Sequence, residues 1–150
     1  MSSNTNFPAT VLVVDDQEVS KLVMCKTLEQ AGFHVLSANS GAEALILYRD
    51  AQPSVDLLVT DYKMPGMTGV ELARECSSMD GELAVLYVSG SIPGDDLRSA
   101  LVSARQRFLP KPFRQSDFLR SAKEALAMGP GAAGARENQN SSGLRLCTER

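Results

Sequence analysis

Apolar residues follow two rhythms along this chain. Short uninterrupted runs at Val11 to Val14, Leu57 to Thr60 and Leu83 to Val88 alternate with longer stretches whose apolar positions recur every three or four residues. A further run, Phe33 to Ser37, follows the stop signal Ala31-Gly32, and a short one, Phe108-Leu109, is closed by Pro110. Strands that are apolar without alternation suit a parallel sheet covered on both faces. Between them, Leu72, Ala73, Cys76 and Met79 share one helical stripe, as do Leu97, Ala100, Leu101 and Ala104, and then Phe118, Leu119, Ala122, Ala125 and Leu126. Ser40 with Glu43 and Thr68 with Glu71 have the S/T-x-x-E spacing that opens a helix. The pattern predicts (βα)5, an α/β doubly wound parallel sheet.

Length and composition refine this. A chain of 150 residues with 43% hydrophobic content makes one core and its trimmings. The domain is expected over residues 9–128, with disordered segments at 1–8 and 129–150. From Gly129 the sequence GPGAAGARENQNSSG has no apolar period and too little to bury against the entropy of ordering. Leu144 and Leu146 there make either a small docking patch or part of a floppy or vector-derived terminus. A net charge of −3 speaks against nucleic-acid binding through bulk charge. No run reaches the length of a membrane span and the polar start lacks a signal-peptide pattern, so a cytoplasmic protein is expected. Cys25, Cys76 and Cys147 are odd in number and far apart, which offers no disulfide framework or metal knuckle; Cys25 and Cys76 read as small core residues. His34, the single histidine, reads as a strand or edge residue.

The chemistry gathers at the strand ends. In an open parallel sheet the functional crevice lies beyond the carboxyl ends of the strands. There the sequence puts Asp15-Asp16 after the first strand, Asp61 after the third, Ser89 after the fourth and Lys111 after the fifth. Neighbouring carboxylates repel by about 1 kcal/mol per pair in water and by more near a protein surface, and a divalent cation relieves that. An all-oxygen site suits Mg²⁺ or Mn²⁺. A metal beside a further carboxylate, with an ammonium and a hydroxyl facing it, is equipment for phosphoryl transfer. Asp61 would be the nucleophile, with Lys111 and Ser89 each contacting a phosphoryl oxygen.

These residues resemble the receiver domain of two-component response regulators. The resemblance rests on VLVVDDQ, LLVTDYKMPGMTGVELA around Asp61, YVSGS ending in Ser91, and FLPKPF around Lys111, and spans about Val11 to Ala127. It implies a flavodoxin-like five-stranded sheet of order 2-1-3-4-5. It further implies Asp16 and Asp61 as direct metal ligands, the Lys63 backbone carbonyl as a third, and Asp15 acting through water. Asp61 would be the phosphoacceptor, Ser89 and Phe108 the switch pair, and Met64-Pro65-Gly66 the tight loop after the acceptor. The Lys111-Pro112 bond matches a site that is usually cis in the family. Implied partners are a histidine kinase or histidine phosphotransfer protein, and a downstream protein at the face of helix four, strand five and helix five. Direct nucleic-acid or membrane binding is not implied, the resemblance suggests a bacterial signalling phosphoprotein rather than an enzyme, and oligomeric state is left open.

Some details depart from the common pattern. Lys63 is a long cation that could reach the phosphoryl group or simply be solvated. No glycine lies between Gly94 and Gly129, so helix four is expected to stop at Ala104-Arg105-Gln106 without a glycine cap. From Arg98 to Lys123 there are seven cations (Arg98, Arg105, Arg107, Lys111, Arg114, Arg120, Lys123) against Asp117, which is either a surface for an acidic partner or a solvated rim. Rival readings are a receiver cut from a hybrid sensor kinase, a pseudo-receiver that takes no phosphate, a flavodoxin-like cofactor binder, and an aspartyl phosphatase. Acids at Asp15 to Glu18 would repel a bound phosphate after strand one, and Asp15 and Asp16 are adjacent instead of two apart. Both points disfavour the last two.

Overall fold

The computed structural model describes residues 8–52, 54–80, 83–103 and 105–127. The expectations for the first seven residues, for the 129–150 tail with Leu144, Leu146 and Cys147, and for Ala104 lie outside the described residues.

Strands and helices alternate along the chain: β1 (Thr10–Val14), α1 (Glu18–Gln30), β2 (His34–Ala38), α2 (Gly41–Asp50), β3 (Leu57–Asp61), α3 (Gly69–Asp80), β4 (Ala84–Ser89), α4 (Asp95–Ala100), β5 (Gln106–Pro110) and α5 (Gln115–Ala127). The strands form one parallel sheet in the order β2-β1-β3-β4-β5, the expected doubly wound arrangement. Every residue of β1, β3 and β4 is buried, whereas β2 and β5, at the edges, are partly open. His34 is exposed on edge strand β2, as read.

Alternation of side chains across each strand divides the interior in two. Val11, Val13, Leu57, Val59, Leu86 and Val88 pack with Met24 and Leu28 of α1 and with Phe118, Ala122 and Ala125 of α5. Leu12, Val14, Leu58, Val85 and Tyr87 face the other way, onto Ala44 and Tyr48 of α2, Leu72, Ala73 and Cys76 of α3, and Leu97 of α4. Each fully buried Leu or Val contributes about 1.5–3 kcal/mol relative to exposure, so the sheet is fixed by both layers at once. Cys76 is buried, and Cys25 is half-buried against the α1 layer. Met79, read as part of the α3 stripe, is 47% exposed at the helix end.

One capping box forms in full and the other in half. The Thr68 hydroxyl accepts the Glu71 amide at 3.1 Å and the Glu71 carboxylate accepts the Thr68 amide at 2.9 Å. At α2, Ser40 accepts the Glu43 amide at 3.1 Å, but Glu43 reaches one residue further back, to the Asn39 amide at 2.8 Å.

Two boundaries differ from the sequence reading by more than one residue. Helix four ends at Ala100 and not at Ala104-Arg105-Gln106. Beyond it the backbone bonds shorten to three-residue spacing, Val102 to Ser99 and Ser103 to Ala100, and the Ser103 hydroxyl takes the Arg105 amide at 3.3 Å. A serine side chain competing for the backbone in this way favours a turn over helix. Strand five runs from Gln106, earlier than Phe108, because the ladder with β4 recruits polar residues: the Tyr87 hydroxyl donates to Gln106 Oε1 at 2.6 Å and the Val85 amide to the Arg105 carbonyl at 3.0 Å. Among the described residues no helix is long and apolar enough to cross a membrane.

Candidate functional site

The sheet register brings the acids together. Val14 pairs with Thr60, so Asp15, just past β1, and Asp61, the last residue of β3, emerge side by side at the carboxyl edge. Asp15 is fully buried. Its Oδ1 accepts the Gln17 amide at 2.9 Å and its Oδ2 accepts from Lys111 Nζ at 3.0 Å, which is how a buried carboxylate is made tolerable. Asp16 is exposed beside them, and one carboxylate oxygen from each of Asp15, Asp16 and Asp61 lies within 4.8 Å of the others. An oxygen-only set of this kind fits a hard divalent cation such as Mg²⁺.

Lys111 reaches the acids because β5, paired with β4, delivers it there. Ser89 pairs with Pro110, and the Lys111 amide donates to the Ser89 carbonyl at 2.8 Å. From that anchor Nζ stands 3.7 Å from Asp61 Oδ2. The Lys111-Pro112 bond is cis. Burial pushes the Asp61 carboxyl above its ordinary range, Lys111 pulls it down, and Asp15 and Asp16 push it up again, leaving it raised. The charged Asp61 is thus under a tension that added positive charge relieves.

Ser89 is buried and its hydroxyl accepts the Ser91 amide at 3.0 Å. By strand alternation it shares a face with Tyr87, which pairs with Phe108 on β5. Phe108 is half-buried against that same core. Lys63 is exposed, Met64 is buried in the core, and Gly66 adopts φ of 86°, which a side chain would disfavour. Of the cations counted from Arg98 to Lys123, Arg98 pairs with Asp95, Arg107 with Glu124 at 3.5 Å and Arg120 with Asp117 at 2.8 Å. Asp95 and Glu124 lie outside that window, so this stretch is less uniformly basic than its sequence.

Three features escaped the sequence reading. Gly69 lets α3 begin against Asp61: a Cβ there would lie 2.4 Å from the Asp61 carbonyl oxygen, which also accepts the Thr60 hydroxyl at 2.9 Å. Tyr62, next to Asp61, is buried and donates its hydroxyl to Asp96 Oδ1 at 2.6 Å. Beside Lys111, a cleft of about 710 Å³ is lined by Val19, Val23, Pro112 and Phe113. Its signal was present: Val19, Leu22 and Val23 form a second apolar stripe on α1, and they are 76%, 56% and 38% exposed.

Residues 11–123 match the response regulator receiver domain. The sensor kinase CckA of Brucella abortus (strain 2308) is 34% identical over 79% of this chain, a match that spans 12% of the kinase's length. The two-component response regulator ORR5 of Oryza sativa subsp. japonica is 35% identical over 77% of this chain and 87% of its own. The crystal structure of the receiver domain from the hybrid histidine kinase CckA superposes with a TM-score of 0.65 at 28% identity, covering 79% of this chain and 99% of that one. With the family match running over residues 11–123, the chain belongs to the response regulator receiver domain family.

Proposed function

We propose that the domain over residues 9–128 accepts a phosphoryl group on Asp61 from the phosphohistidine of a histidine kinase or phosphotransfer protein. The observation that carries this is Lys111 Nζ bridging buried Asp15 at 3.0 Å and Asp61 at 3.7 Å on a rim shared with Asp16. An Asp61 oxygen attacks phosphorus, the phosphorus–nitrogen bond of the donor breaks, and its electron pair returns to the imidazole. The product is an acyl phosphate on Asp61. Asp16, Asp61 and the Lys63 carbonyl would hold Mg²⁺ or Mn²⁺, with Asp15 acting through water; the bound ion supplies neutralisation of charge on the phosphoryl oxygens. Lys111 pairs with one of those oxygens and the Ser89 hydroxyl with another.

In this reading Ser89 leaves its bond with the Ser91 amide, Phe108 turns towards the space it vacates, and the face of α4, β5 and α5 changes its affinity for a downstream protein. The donor docks over the apolar cleft of Val19, Val23 and Phe113, which adjoins Lys111. A second reading, the receiver portion of a hybrid sensor kinase, is favoured by the likeness to the CckA kinase and its receiver domain.

The test is intact mass after incubation with Mg²⁺ and phosphoramidate. A single phosphoryl adduct is expected on the wild type, and none on Asp61→Asn or in the presence of a chelator. A folded wild type that takes no adduct from phosphoramidate or from any phosphorylated kinase would favour a pseudo-receiver.

A further inference from the structure

Tyr62 is bound into the site by its backbone and into α4 by its side chain. Its amide donates to the Val88 carbonyl at 3.1 Å and its carbonyl accepts the Gly69 amide at 2.8 Å. The chain at the acceptor is therefore pinned to β4 on one side and to the start of α3 on the other. Its ring crosses to α4, where the hydroxyl donates to Asp96 Oδ1 at 2.6 Å, and the same oxygen accepts the Leu97 amide at 2.8 Å. Gly94 leaves room for the pair: a Cβ there would lie 2.7 Å from the Tyr62 hydroxyl and 3.2 Å from Asp96 Oδ1.

The attachment matters because α4 is short, with Ala100 packed only partly buried against the core. It has six residues, of which Leu97 is the buried one, and its N-cap makes no side-chain hydrogen bond. Helices shorter than about 12 residues are marginal alone, so tertiary anchors decide where this one sits. The connection from Ser89 to Asp96 is consequently held at both ends by the acceptor strand's neighbourhood: at Ser89 through β4, and at Asp96 through Tyr62.

We propose that Tyr62 is a positioning residue that couples the state of Asp61 to α4 through its hydroxyl–Asp96 bond, which holds the far end of the segment that begins at Ser89. The proposal rests on the phosphoacceptor reading above. When Ser89 is drawn towards a phosphoryl group on Asp61, Asp96 stays tied to the acceptor segment, so the strain falls on residues 90–94 and turns α4 about its first turn. Without the tie, the movement of Ser89 is taken up in residues 90–94, and at least about half of the response of α4 to Asp61 is lost.

The experiment is amide hydrogen exchange of peptides covering residues 90–103, with and without phosphorylation by phosphoramidate and Mg²⁺, and with occupancy matched by intact mass. The wild type is expected to change protection on phosphorylation. Tyr62→Phe and Asp96→Ala are expected to exchange faster in the unphosphorylated state and to lose at least about half of the phosphorylation-linked difference. Asp96→Asn, whose amide oxygen still accepts from the tyrosine hydroxyl, should restore most of it. A wild-type difference fully retained in Tyr62→Phe at equal occupancy overturns the coupling while leaving phosphoacceptance intact. A wild type that forms the adduct without any change in 90–103 overturns it as well. Failure of the wild type to form an adduct from any donor overturns both readings, and intact mass separates that case from the others.

Discussion

Asp61 sits where burial and two neighbouring acids oppose its charge and one ammonium favours it, and the opposition prevails. Because its folded-state carboxyl titrates above the unfolded one, ionisation costs stability: the cost is absent below the ordinary carboxylate range, near pH 3.9, and is full once pH exceeds the raised value. In chelator, Asp61→Asn should therefore melt higher than the wild type at pH 7. The gap should close as pH falls through the carboxylate range, as read by thermal unfolding followed by circular dichroism. Adding Mg²⁺ should raise the melting temperature of the wild type more than that of Asp61→Asn. Removing Lys111 acts in the opposite sense, since Lys111→Met leaves a fully buried Asp15 with one fewer partner. That variant should be destabilised at pH 7, read as a lower melting temperature than the wild type.

At the scale of elements, what could be read from the chain depends on whether the signal is local. The runs Val11 to Val14 and Leu57 to Thr60 are apolar regardless of their surroundings, and each became a fully buried strand, β1 and β3. Gln106 and Arg107 carry no such signal; they are strand residues because β4 offers them a ladder. The length of α4 was misread for a similar reason, as Leu97, Ala100 and Leu101 continue a helical period while Ser103 turns the backbone away. The gathering of Asp15, Asp61 and Lys111 was legible because every strand of a parallel sheet delivers its last residue to the same edge. Tyr62 and Gly69 were not, because what they do depends on which way a side chain points and how near a carbonyl stands. Thr68→Ala tests a local signal directly. Loss of its reciprocal cap with Glu71 should cost about 1 kcal/mol, seen as a lower urea midpoint with an unchanged slope.

For the molecule as a whole, the acids and the apolar cleft share the Lys111 corner, so chemistry and docking can be separated by experiment. Val19→Glu puts a charge on the rim of the cleft without touching Asp61. Under the proposed function, transfer from a phosphorylated protein donor should slow by about tenfold or more, the equivalent of about 1.4 kcal/mol, while phosphoramidate should still label Asp61 at close to the wild-type rate. Equal slowing with both donors would show that the cleft serves the site itself and not a partner.

The division of the sheet's side chains into two non-overlapping layers has a bearing on how such a chain diverges. Val11, Val13, Leu57 and Val59 meet α1 and α5, while Leu12, Val14, Leu58 and Tyr87 meet α2, α3 and α4. Among the described residues the layers have no buried side chain in common, and substitutions at well-separated sites combine additively. Under the proposed function and the proposed coupling, a lineage can accordingly rewrite the outer surface of α1 to answer a different donor while inheriting unaltered the tyrosine link to α4. What the protein listens to and how it responds can then evolve as separate traits.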